Sequence, residues 1–390
     1  MKIGLTLYGS LDEQSGGFRY DRKLVEELRR AGDTVEVIEL PWRGAAGGAW
    51  RAYPRGLLDG VSPRFRDRLR VDVDVMVQDE LAHPSLWRCN RDLSYPIVGI
   101  VHHLRASEPR RLSPLYRAAE RRYLDTLDGV VCNSTATWEA VTGLGVDPDA
   151  TVVAPPAGDR FDGDVRGGDT ATADNTVTAD NTATAAVTGS AAERPLRVVF
   201  VGNLAPRKGL DTLVEGVAAA DANVEVTVVG RTVDESHVRG VRRLVDRRGL
   251  TDRVRFAGRL PNDELAATLR ESHAIAVPSR YEGFGIVYLE GMALGLPAIA
   301  SRAGGASDVV TDGETGHLVD PDDPGGVADA LDALASDPER LAGMSRAARR
   351  RYERHPDWET TTARVRRLLA AVAEADSPDV STSSVPEVPT

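Results

Sequence analysis

The sequence predicts an α/β protein built from two doubly wound parallel-sheet domains that face each other across a cleft. Apolar runs of strand length alternate with longer amphipathic runs, the alternation stops once near the middle of the chain, and then it resumes. A chain of 390 residues with 42% hydrophobic residues is long enough to build two ordinary cores. Because ligands of such sheets bind at the carboxyl ends of the strands, we expect the functional site there.

The first domain is expected to span residues 1–161. The amphipathic runs Asp21–Ala31 and Leu112–Leu127 predict helices between short apolar strands, and therefore a parallel sheet. Its strands are predicted at Ile3–Tyr8, Thr34–Leu40, Val71–Val77, Ile97–Val101, Val130–Cys132 and Thr151–Ala154.

Residues 162–194 are rich in Asp, Thr, Ala and Gly, and the sequence TADNT occurs in them twice. Such a segment buries too little apolar surface to offset its ordering entropy, so we predict a flexible linker. A second domain is expected over residues 195–356, a terminal helix over 357–375 and a disordered tail over 376–390. The second domain's strands are predicted at Leu196–Gly202, Val224–Val229, Val254–Ala257, Ala274–Val277 and Ala298–Ala300.

Acidic residues outnumber basic ones by 11, and Lys2, Lys23 and Lys208 are the only lysines. This composition fits adaptation to high salt or drift in a GC-rich genome, and in either case it argues against a nucleic-acid partner. Cys89 and Cys132 lack the spacing of metal ligands or of a disulfide framework. No apolar run approaches the roughly 18 residues of a membrane span, and the N-terminus reads as a strand without a signal peptide. We therefore expect a cytoplasmic protein.

The segment Val277–Asp320 contains the most informative motif. An apolar strand ends at Pro278, Gly283 and Gly285 flank Phe284, and an apolar helical stretch starts near Ile286. The N-terminus of a helix offers unpaired N–H groups and the positive end of the dipole, so a diphosphate can bind there.

Two carboxylates accompany this anion site. Glu282 lies in the loop and Glu290 about one turn into the helix, and each can accept two hydrogen bonds from a vicinal diol. Either glutamate alone is more often a solvated surface charge. Beside a glycine loop, the pair indicates a phosphate ligand that has a sugar at each end.

A second basic loop follows the first strand of the second domain. In the sequence VGNLAPRKG, from Val201 to Gly209, Arg207 and Lys208 precede a helix that opens near Leu210. Two fixed cations there would clamp a diphosphate, each contact contributing about 1.5–3 kcal/mol. In a chain that otherwise uses arginine, Lys208 suggests that a compact ammonium is needed.

These motifs resemble the donor-binding signature of the retaining glycosyltransferases of family 4, which have the two-domain GT-B architecture of Rossmann-like domains. The family pattern of Glu, seven residues and Glu is matched by Glu282 and Glu290. The resemblance covers the C-terminal half densely and the N-terminal half thinly. Its further matches are Gly295-Leu296-Pro297, Gly304-Gly305, Asp312, Gly313 and Gly316.

The resemblance implies roles for individual residues. Glu290 would hold the ribose, Glu282 and the amides around Phe284 and Gly285 the transferred sugar, and Lys208 the donor phosphates. Family members also have an arginine directly after the strand glycine, where this chain has Asn203, and Arg207 would compensate. The expected catalytic residues are His102, Glu282 and Lys208, and the expected donor-binding residues are Gly17, Asn203, Arg207, Lys208, Glu282, Gly283, Phe284, Gly285, Ile286, Val287 and Glu290.

The first domain contributes weaker signals. The pair Gly16-Gly17 after the first strand allows backbone to approach a ligand, although a simple turn explains it equally well. His102 and His103 follow the strand Ile97–Val101, and by its spacing from Pro96 His102 matches the functional histidine of the family. A strand-end histidine can act as an acid–base or hydrogen-bonding group. His103 and Arg105 are expected on the acceptor side.

The implied reaction moves a hexosyl group from a nucleotide-diphosphate sugar to a hydroxyl of a glycan or lipid-linked acceptor, with retention of the anomeric configuration. No Asp-x-Asp pair lies at these motifs, so we expect neither a metal nor another cofactor. The tryptophan-containing loop Pro41–Arg51 and the arginines between Arg105 and Arg122 would suit peripheral contact with the inner membrane face. A solvated helix face with salt bridges explains those arginines equally well. Similar proteins also return the terminal helix to the first domain, with Trp358 as its anchor.

Four other functions fit the sequence less well. A non-catalytic nucleotide-sugar-binding regulatory partner gains support from Asn203. An epimerase or a phosphorylase needs chemistry for which the chain has no signal, such as a lysine available to pyridoxal phosphate. A dehydrogenase is disfavoured because no Gly-x-Gly-x-x-Gly follows either first strand.

Overall fold

The computed structural model describes residues 1–13, 15–41, 56, 58–108, 113–161 and 195–375. The chain divides into two compact units. The first consists of Met1–Asn133, Trp138–Ala154 and the helix of residues 358–375; the second consists of Ser134–Thr137 and Pro155–Asp357. The predictions for loop residues 42–51, for Arg110 and Arg111, for the linker 162–194 and for the tail 376–390 lie outside the described residues.

The first unit contains a six-stranded parallel sheet in the order β2-β1-β3-β4-β5-β6. Its inner strands β3, β4 and β5 are buried along their whole length, whereas β2 alternates buried and exposed residues at the edge. The strands are β1 (Lys2–Tyr8), β2 (Thr34–Leu40), β3 (Val75–Asp79), β4 (Ile97–Val101), β5 (Gly129–Cys132) and β6 (Thr151–Val153).

Helices connect these strands. The first of them starts five residues earlier than predicted, because the Ser15 hydroxyl accepts a hydrogen bond from the N–H of Phe18 and caps the helix there. The helices are α1 (Gly16–Arg30), α2 (Pro63–Asp67), α3 (His83–Leu86), α4 (Ser113–Leu124) and α5 (Thr135–Thr142).

One strand of this sheet was placed wrongly by the hydrophobic pattern. The run Val71–Val77 predicts a strand, but pairing with β1 starts at Val75 and β3 extends to Asp79. Gln78 can lie inside the sheet because its side-chain amide exchanges two hydrogen bonds with that of Asn90, at 2.9 and 3.0 Å. Because its side chain is hydrogen-bonded, the polar Gln78 can be buried within β3, and the hydrophobic pattern alone therefore predicted an end of the strand that is too early.

The second unit contains a six-stranded parallel sheet in the order β12-β11-β10-β7-β8-β9. Successive strands are added on one side of β7 up to β9 and on the other side from β10 to β12, so the strand order reverses between β7 and β10. Ligands of such sheets bind beyond the carboxyl ends of the two strands at the reversal. The strands are β7 (Leu196–Val201), β8 (Val224–Val229), β9 (Val254–Gly258), β10 (Ala274–Val277), β11 (Ala298–Ser301) and β12 (Gly316–Val319). Hydrophobicity did not predict β12, an edge strand of which only the two ends are buried.

Most helices of this unit follow the strands in alternation, and α6 and α10 pack against each other. The helices are α6 (Leu210–Ala219), α7 (Glu235–Arg247), α8 (Asn262–Arg270), α9 (Ile286–Met292), α10 (Pro324–Ser336) and α11 (Pro338–Glu353). With both sheets parallel and helices around them, the predicted α/β fold class is confirmed.

The terminal helix α12 (Trp358–Ala375) belongs to the first unit, where it packs against α1, β5 and β6. The ring of Trp358 meets that of Tyr20 edge to face at 5.4 Å. Arg366 donates to Asp33 at 2.7 Å, and the N-terminal ammonium of Met1 binds the same carboxylate at 2.9 Å. These ion pairs, together with the apolar contacts, fix the helix within the first unit. Among the described residues, no helix is both long enough and apolar enough to cross a lipid bilayer.

Candidate active site

The site in the second unit begins with the loop after β7. A 3-10 turn, Pro206–Lys208, presents both predicted cations, and Gly209 ends the turn with a φ of +67°. A Cβ atom at Gly209 would lie 2.0 Å from the carbonyl oxygen of Pro278. Glycine is therefore required both for the left-handed backbone and for the close approach of the loop that follows β10.

The loop after β10 bends sharply into α9. Gly285 has a φ of +93°, and a Cβ atom there would lie 2.4 Å from the ring of Tyr288. Tyr288 is fully buried, and its hydroxyl donates to the carbonyl of Val277 at 2.7 Å. An aromatic residue beneath the glycine loop thus fixes the path of the backbone.

A third loop holds the backbone of Glu282. Its N–H donates to the carbonyl of Ala303 at 3.2 Å, and its carbonyl accepts from the N–H of Gly305 at 2.8 Å. A Cβ atom at Gly304, where φ is +94°, would lie 2.1 Å from that carbonyl oxygen. The Gly304-Gly305 pair is therefore needed for two loops to touch at Glu282.

Arg280 joins the loops after β7 and β10, and the sequence reasoning did not identify it. Its N–H donates to the carbonyl of Arg207 at 2.8 Å, and its guanidinium binds Asp211 at 2.8 Å and Asp322 at 2.7 Å. An arginine next to a predicted site residue is a weak signal, because its acidic partners lie far away in sequence. Arg280 keeps the two loops in register.

The ammonium of Lys208 and the carboxylate of Glu282 form the centre of the site, with Nζ and Oε2 2.5 Å apart. The Ser279 hydroxyl donates to the same oxygen at 3.1 Å, and Arg207 Nη1 lies 3.8 Å from Oε1. The Lys208 and Glu282 side chains are only 13% and 10% exposed. Arg207 also donates to the carbonyl of Tyr281 at 2.9 Å, which fixes its orientation.

The electrostatics of this cluster favour an ionised pair. Burial raises the pKa of the Glu282 carboxyl, but the charges of Lys208 and Arg207 and the hydrogen bonds to the carboxylate outweigh it and lower that pKa to about 2. Burial lowers the pKa of Lys208 and the charge of Arg207 lowers it further, while Glu282 raises it. We assign a carboxylate and an ammonium.

Within the Lys208–Glu282–Arg207 cluster two cations face one carboxylate, while the neighbouring Arg280 is paired with Asp211 and Asp322. The neighbouring helix α9 is seven residues long, so its dipole is weaker than that of a long helix. The positive potential therefore comes mainly from Lys208 and Arg207. In this arrangement Glu282 binds Lys208 directly, a contact that the sequence did not predict.

Glu290 lies on α9 and is 5% exposed. Its Oε2 lies 3.4 Å from Nη1 of Arg160, which belongs to the 3-10 turn Asp159–Phe161. Arg160 also donates from Nη2 to the Asn262 side chain at 2.9 Å. Sequence reasoning missed Arg160, because an arginine at the edge of a low-complexity segment gives no indication of a partner 130 residues away.

The remaining predicted donor residues line the same loops. Phe284 and Val287 are 3% and 8% exposed, so their side chains belong to the core and only their backbone can meet a ligand. Gly283 is also buried, and Ile286 is half-buried at the start of α9. Asn203 is half-buried, and its carbonyl accepts from the N–H of Ala205 at 2.9 Å.

In the first unit, His102 follows β4 and is held on several sides. Its ring Nε2 lies 3.3 Å from Oδ1 of Asp21, and its backbone N–H donates to Glu80 at 3.0 Å. The Tyr20 ring meets it edge to face at 5.2 Å, and its carbonyl accepts from Asn133 at 3.0 Å. Burial lowers the pKa of His102, but Asp21, Asp79 and Glu80 outweigh burial and raise it to about 9.

Gly17 has a different setting from the one that the sequence suggested. It lies in the first turn of α1 and not in a loop before the helix. A Cβ atom at Gly17 would lie 3.2 Å from the His102 ring, which is tighter than ordinary contact. The structure therefore accounts for this glycine by the packing of His102 against the helix.

The residues expected on the acceptor side form a separate group within the first unit. His103 Nε2 lies 2.7 Å from Oε1 of Glu108. The buried carboxyl of Glu120 accepts from the N–H groups of Arg105 and Ala106 at 2.7 and 3.1 Å. Glu120 therefore lies inside the first unit and holds the 3-10 turn after His103.

Asp21, Asp79 and His102 were also tested as a metal site. One ligand atom from each lies within 4.8 Å of the others. However, His102 already binds Asp21 through Nε2, and Asp79 Oδ1 accepts from the N–H of Leu81 at 2.7 Å. We interpret the group as a buried ion pair with a neighbouring carboxyl.

Both halves of the chain match models of known protein families. The profile of the family "Glycosyl transferases group 1" matches residues 186–351, and that of "Glycosyltransferase Family 4" matches residues 15–159. A D-inositol 3-phosphate glycosyltransferase from Corynebacterium efficiens is 31% identical over 323 residues, which cover 77% of this chain and 73% of that protein.

A second relative is the GDP-mannose-dependent alpha-(1-6)-phosphatidylinositol monomannoside mannosyltransferase of Mycolicibacterium smegmatis. It is 34% identical over 190 residues, 47% of this chain, and the match spans half of that protein's length. Among solved structures, the sucrose-phosphate synthase of Thermosynechococcus elongatus superposes with a TM-score of 0.76 at 22% identity, covering 96% of this chain and 99% of that one. This likeness shows the fold alone.

The chain therefore belongs to glycosyltransferase family 4. The predicted family is confirmed, and the names of the relatives confirm the predicted enzyme class, a glycosyltransferase. The individual site residues remain predictions.

Proposed function

We propose that this protein transfers a hexosyl group from a nucleotide-diphosphate sugar to an acceptor hydroxyl, with retention of configuration and without a metal ion. The observation that carries the proposal is the Lys208–Glu282–Arg207 cluster at the carboxyl ends of β7 and β10. A buried carboxylate with two cations matches a ligand that offers both hydroxyls and phosphate oxygens.

In the proposed reaction the bond between the anomeric carbon and the β-phosphate oxygen breaks, and its electron pair stays on the departing nucleoside diphosphate. The acceptor oxygen forms the new bond on the same face, and its proton passes to the departing phosphate oxygen. Lys208 and Arg207 stabilise the negative charge that develops on the diphosphate. These fixed cations supply what a divalent ion supplies in other transferases.

The two glutamates divide the donor between them. Glu282 accepts hydrogen bonds from hydroxyls of the transferred sugar, while Lys208 changes partners from Glu282 to a phosphate oxygen. Glu290 accepts from the ribose hydroxyls, and Arg160 turns away from it when the donor binds. The backbone N–H groups around Phe284 and Gly285 complete the sugar contacts, since the Phe284 side chain is buried.

In the first unit we propose His102 as a catalytic residue, with His103 and Arg105 on the acceptor side. The acceptor is a glycan or a lipid-linked sugar, and the protein works in the cytoplasm or against the inner face of the membrane. One relative's name includes a phosphatidylinositol monomannoside, which supports a lipid-linked acceptor.

A thermal-shift screen of GDP-, UDP- and ADP-sugars tests the donor site, because a bound ligand raises the melting temperature by mass action. We expect one donor class to give the same shift with EDTA as with Mg²⁺. Lys208→Ala and Glu290→Ala should abolish the shift, whereas Glu225→Ala, an exposed position on β8, should keep it. A shift that appears only with Mg²⁺ would contradict metal independence.

Retention is tested on the product. With an α-linked donor and any accepted acceptor, the anomeric proton of the product should show the coupling constant of an α-linkage in NMR. A β-linked product would overturn this part of the proposal without affecting the donor site.

A further inference from the structure

The His102 imidazole lies in a pocket of carboxyl groups at the end of the first sheet. The titratable groups that face it are Asp21 from α1, Asp79 from the end of β3 and Glu80 from the turn after β3. Its sequence neighbour His103 binds Glu108 at 2.7 Å. Burial lowers the pKa of His102, whereas the hydrogen bond to Asp21 and the charges of the three carboxyl groups raise it.

The two ring nitrogens of His102 have different surroundings. Nε2 lies 3.3 Å from Oδ1 of Asp21, a residue with no exposed surface. Among the described residues, the hydrogen bond of the His102 ring is made at Nε2, and the side chain keeps 14% of its surface exposed. Nε2 thus points inward and Nδ1 is the nitrogen left for a ligand.

The ring cannot easily turn over. The Gly17 backbone lies against it, since a Cβ atom there would be 3.2 Å from Cδ2, and the Tyr20 ring meets it edge to face at 5.2 Å. The backbone on both sides of the ring is also fixed, because the N–H donates to Glu80 and the carbonyl accepts from Asn133. Exchanging Nδ1 and Nε2 would cost the bond to Asp21.

A buried carboxylate needs a cation or several hydrogen bonds. Within the described residues, Asp21 Oδ2 is buried and has no hydrogen-bond partner, so the contact of Oδ1 with His102 is its main compensation. Burial raises the pKa of both Asp79 and Glu80, and Glu80 binds the backbone N–H of His102 rather than its ring. Asp21 is therefore the carboxyl group that pairs with the imidazole.

We propose that Asp21 is a positioning residue that holds His102 as an imidazolium, with Nε2–H bound inward and Nδ1–H offered outward as a charged hydrogen-bond donor to a substrate oxygen. The proposal rests on the proposed function for the identity of that oxygen. It assigns His102 a role as a charged donor and excludes it as a general base, since an imidazolium has no lone pair to accept a proton.

The protonation state can be measured without turnover. In the full-length protein with ¹³C-labelled histidine, His102→Gln identifies the Cε1–H signal, and its titration in the wild type should have its midpoint near pH 9. Asp21→Asn should lower the midpoint by at least about one unit, because a neighbouring opposite charge contributes roughly 1–3 units. Asp72→Asn, whose side chain is 92% exposed, is the control and should leave it unchanged.

A wild-type midpoint at or below 6.5 would overturn the proposal, and this measurement does not require the Asp21 variant to fold. An unchanged midpoint in a folded Asp21→Asn protein would overturn it too. So would saturable binding of Zn²⁺ that removes the titration, because the pocket would then be a metal site. None of these results depends on whether sugar transfer is observed, so failure of the proposed function is recognised separately.

Kinetics distinguishes a charged donor from a base. The wild-type kcat should stay level from pH 6 to 8 and fall near pH 9, whereas Asp21→Asn should keep its donor KM and regain kcat as the pH is lowered towards 6. A general base would show the opposite, with kcat rising as His102 loses its proton. Such a rise would overturn the proposal.

Discussion

The Nζ of Lys208 and the Oε2 of Glu282 are 2.5 Å apart, although 74 residues separate them in sequence. The contact joins the loops that follow β7 and β10, at the point where the order of the second sheet reverses. In a parallel sheet this is where ligands bind. One ion pair therefore connects the reversal in the fold with the two side chains proposed to share the donor.

Replacing the ammonium should weaken donor binding. We expect Lys208→Met to raise the Kd of a nucleoside diphosphate by about tenfold to a hundredfold, because a charge-assisted hydrogen bond contributes about 1.5–3 kcal/mol. Isothermal titration calorimetry measures the change. Lys2→Met is the control, since Lys2 is 59% exposed and pairs with Asp72. Equal affinity of the Lys208 variant and the wild type would remove the assigned role.

Substitutions of Lys208 and Glu282 should have non-additive effects on the free energy of unfolding. Lys208→Met alone or Glu282→Gln alone leaves a partner without compensation, and we expect each to cost about 3–5 kcal/mol. The double variant should lose much less than the sum, because neither member of the buried pair is left alone and the remaining cation, Arg207, is 37% exposed to solvent. Urea unfolding followed by circular dichroism tests the cycle. Additive losses would show that the pair does not interact as described.

At low pH, protonation of Glu282 should lower the free energy of unfolding. Its pKa in the folded protein is about 2, below the ordinary glutamate value of 4.5, so its stabilising contribution is complete above about pH 4.5 and is lost as the pH falls through about 2. The decrease in unfolding free energy over this interval should be smaller in Glu282→Gln than in the wild type. Matching pH profiles would contradict the assignment.

Gly209 and Gly249 form a matched pair for testing the close approach of the loops. Their φ angles are +67° and +68°. A Cβ atom at Gly209 would clash with the carbonyl oxygen of Pro278, whereas a Cβ atom at Gly249 would have no neighbouring heavy atom within 4 Å. Gly249→Ala should lower the free energy of unfolding only by the penalty of a left-handed backbone with a Cβ atom, about 1–2 kcal/mol. Gly209→Ala should cost about 1–3 kcal/mol more and weaken donor binding. Equal melting temperatures would refute this reasoning.

Glu120 should make the stability of the first unit depend on pH between about 4.5 and 7. Burial raises the pKa of its carboxyl to about 7, against hydrogen bonds from Ala106 and Arg105 that lower it. The wild type should therefore lose up to about 3 kcal/mol of stability as the pH rises from about 4.5 through 7. Glu120→Gln keeps an acceptor for both N–H groups and should flatten this profile. A slope retained in the variant would place the effect elsewhere.

Sequence patterns worked best where burial and local geometry dominate. The strands β4 and β10 were predicted with the bounds that the structure gives, because strands buried on both faces appear as short apolar runs. The start of β3 and the edge strand β12 were not predicted correctly, because their pairing depends on partners distant in sequence. The loop glycines were visible in the sequence, but the groups they approach were not.

The amino-acid sequence by itself determined the fold class, the family and the two loops that contain Lys208 and Glu282, because hydrophobic periodicity and short glycine motifs are local properties. Only the tertiary structure decided that these two side chains bind each other, that Arg160 lies beside Glu290, and that Asp21 binds His102. Each of these contacts joins residues more than 70 positions apart, and such contacts are set by how strands are ordered in a sheet. Strand order is a property of the packed chain as a whole, and no local pattern encodes it.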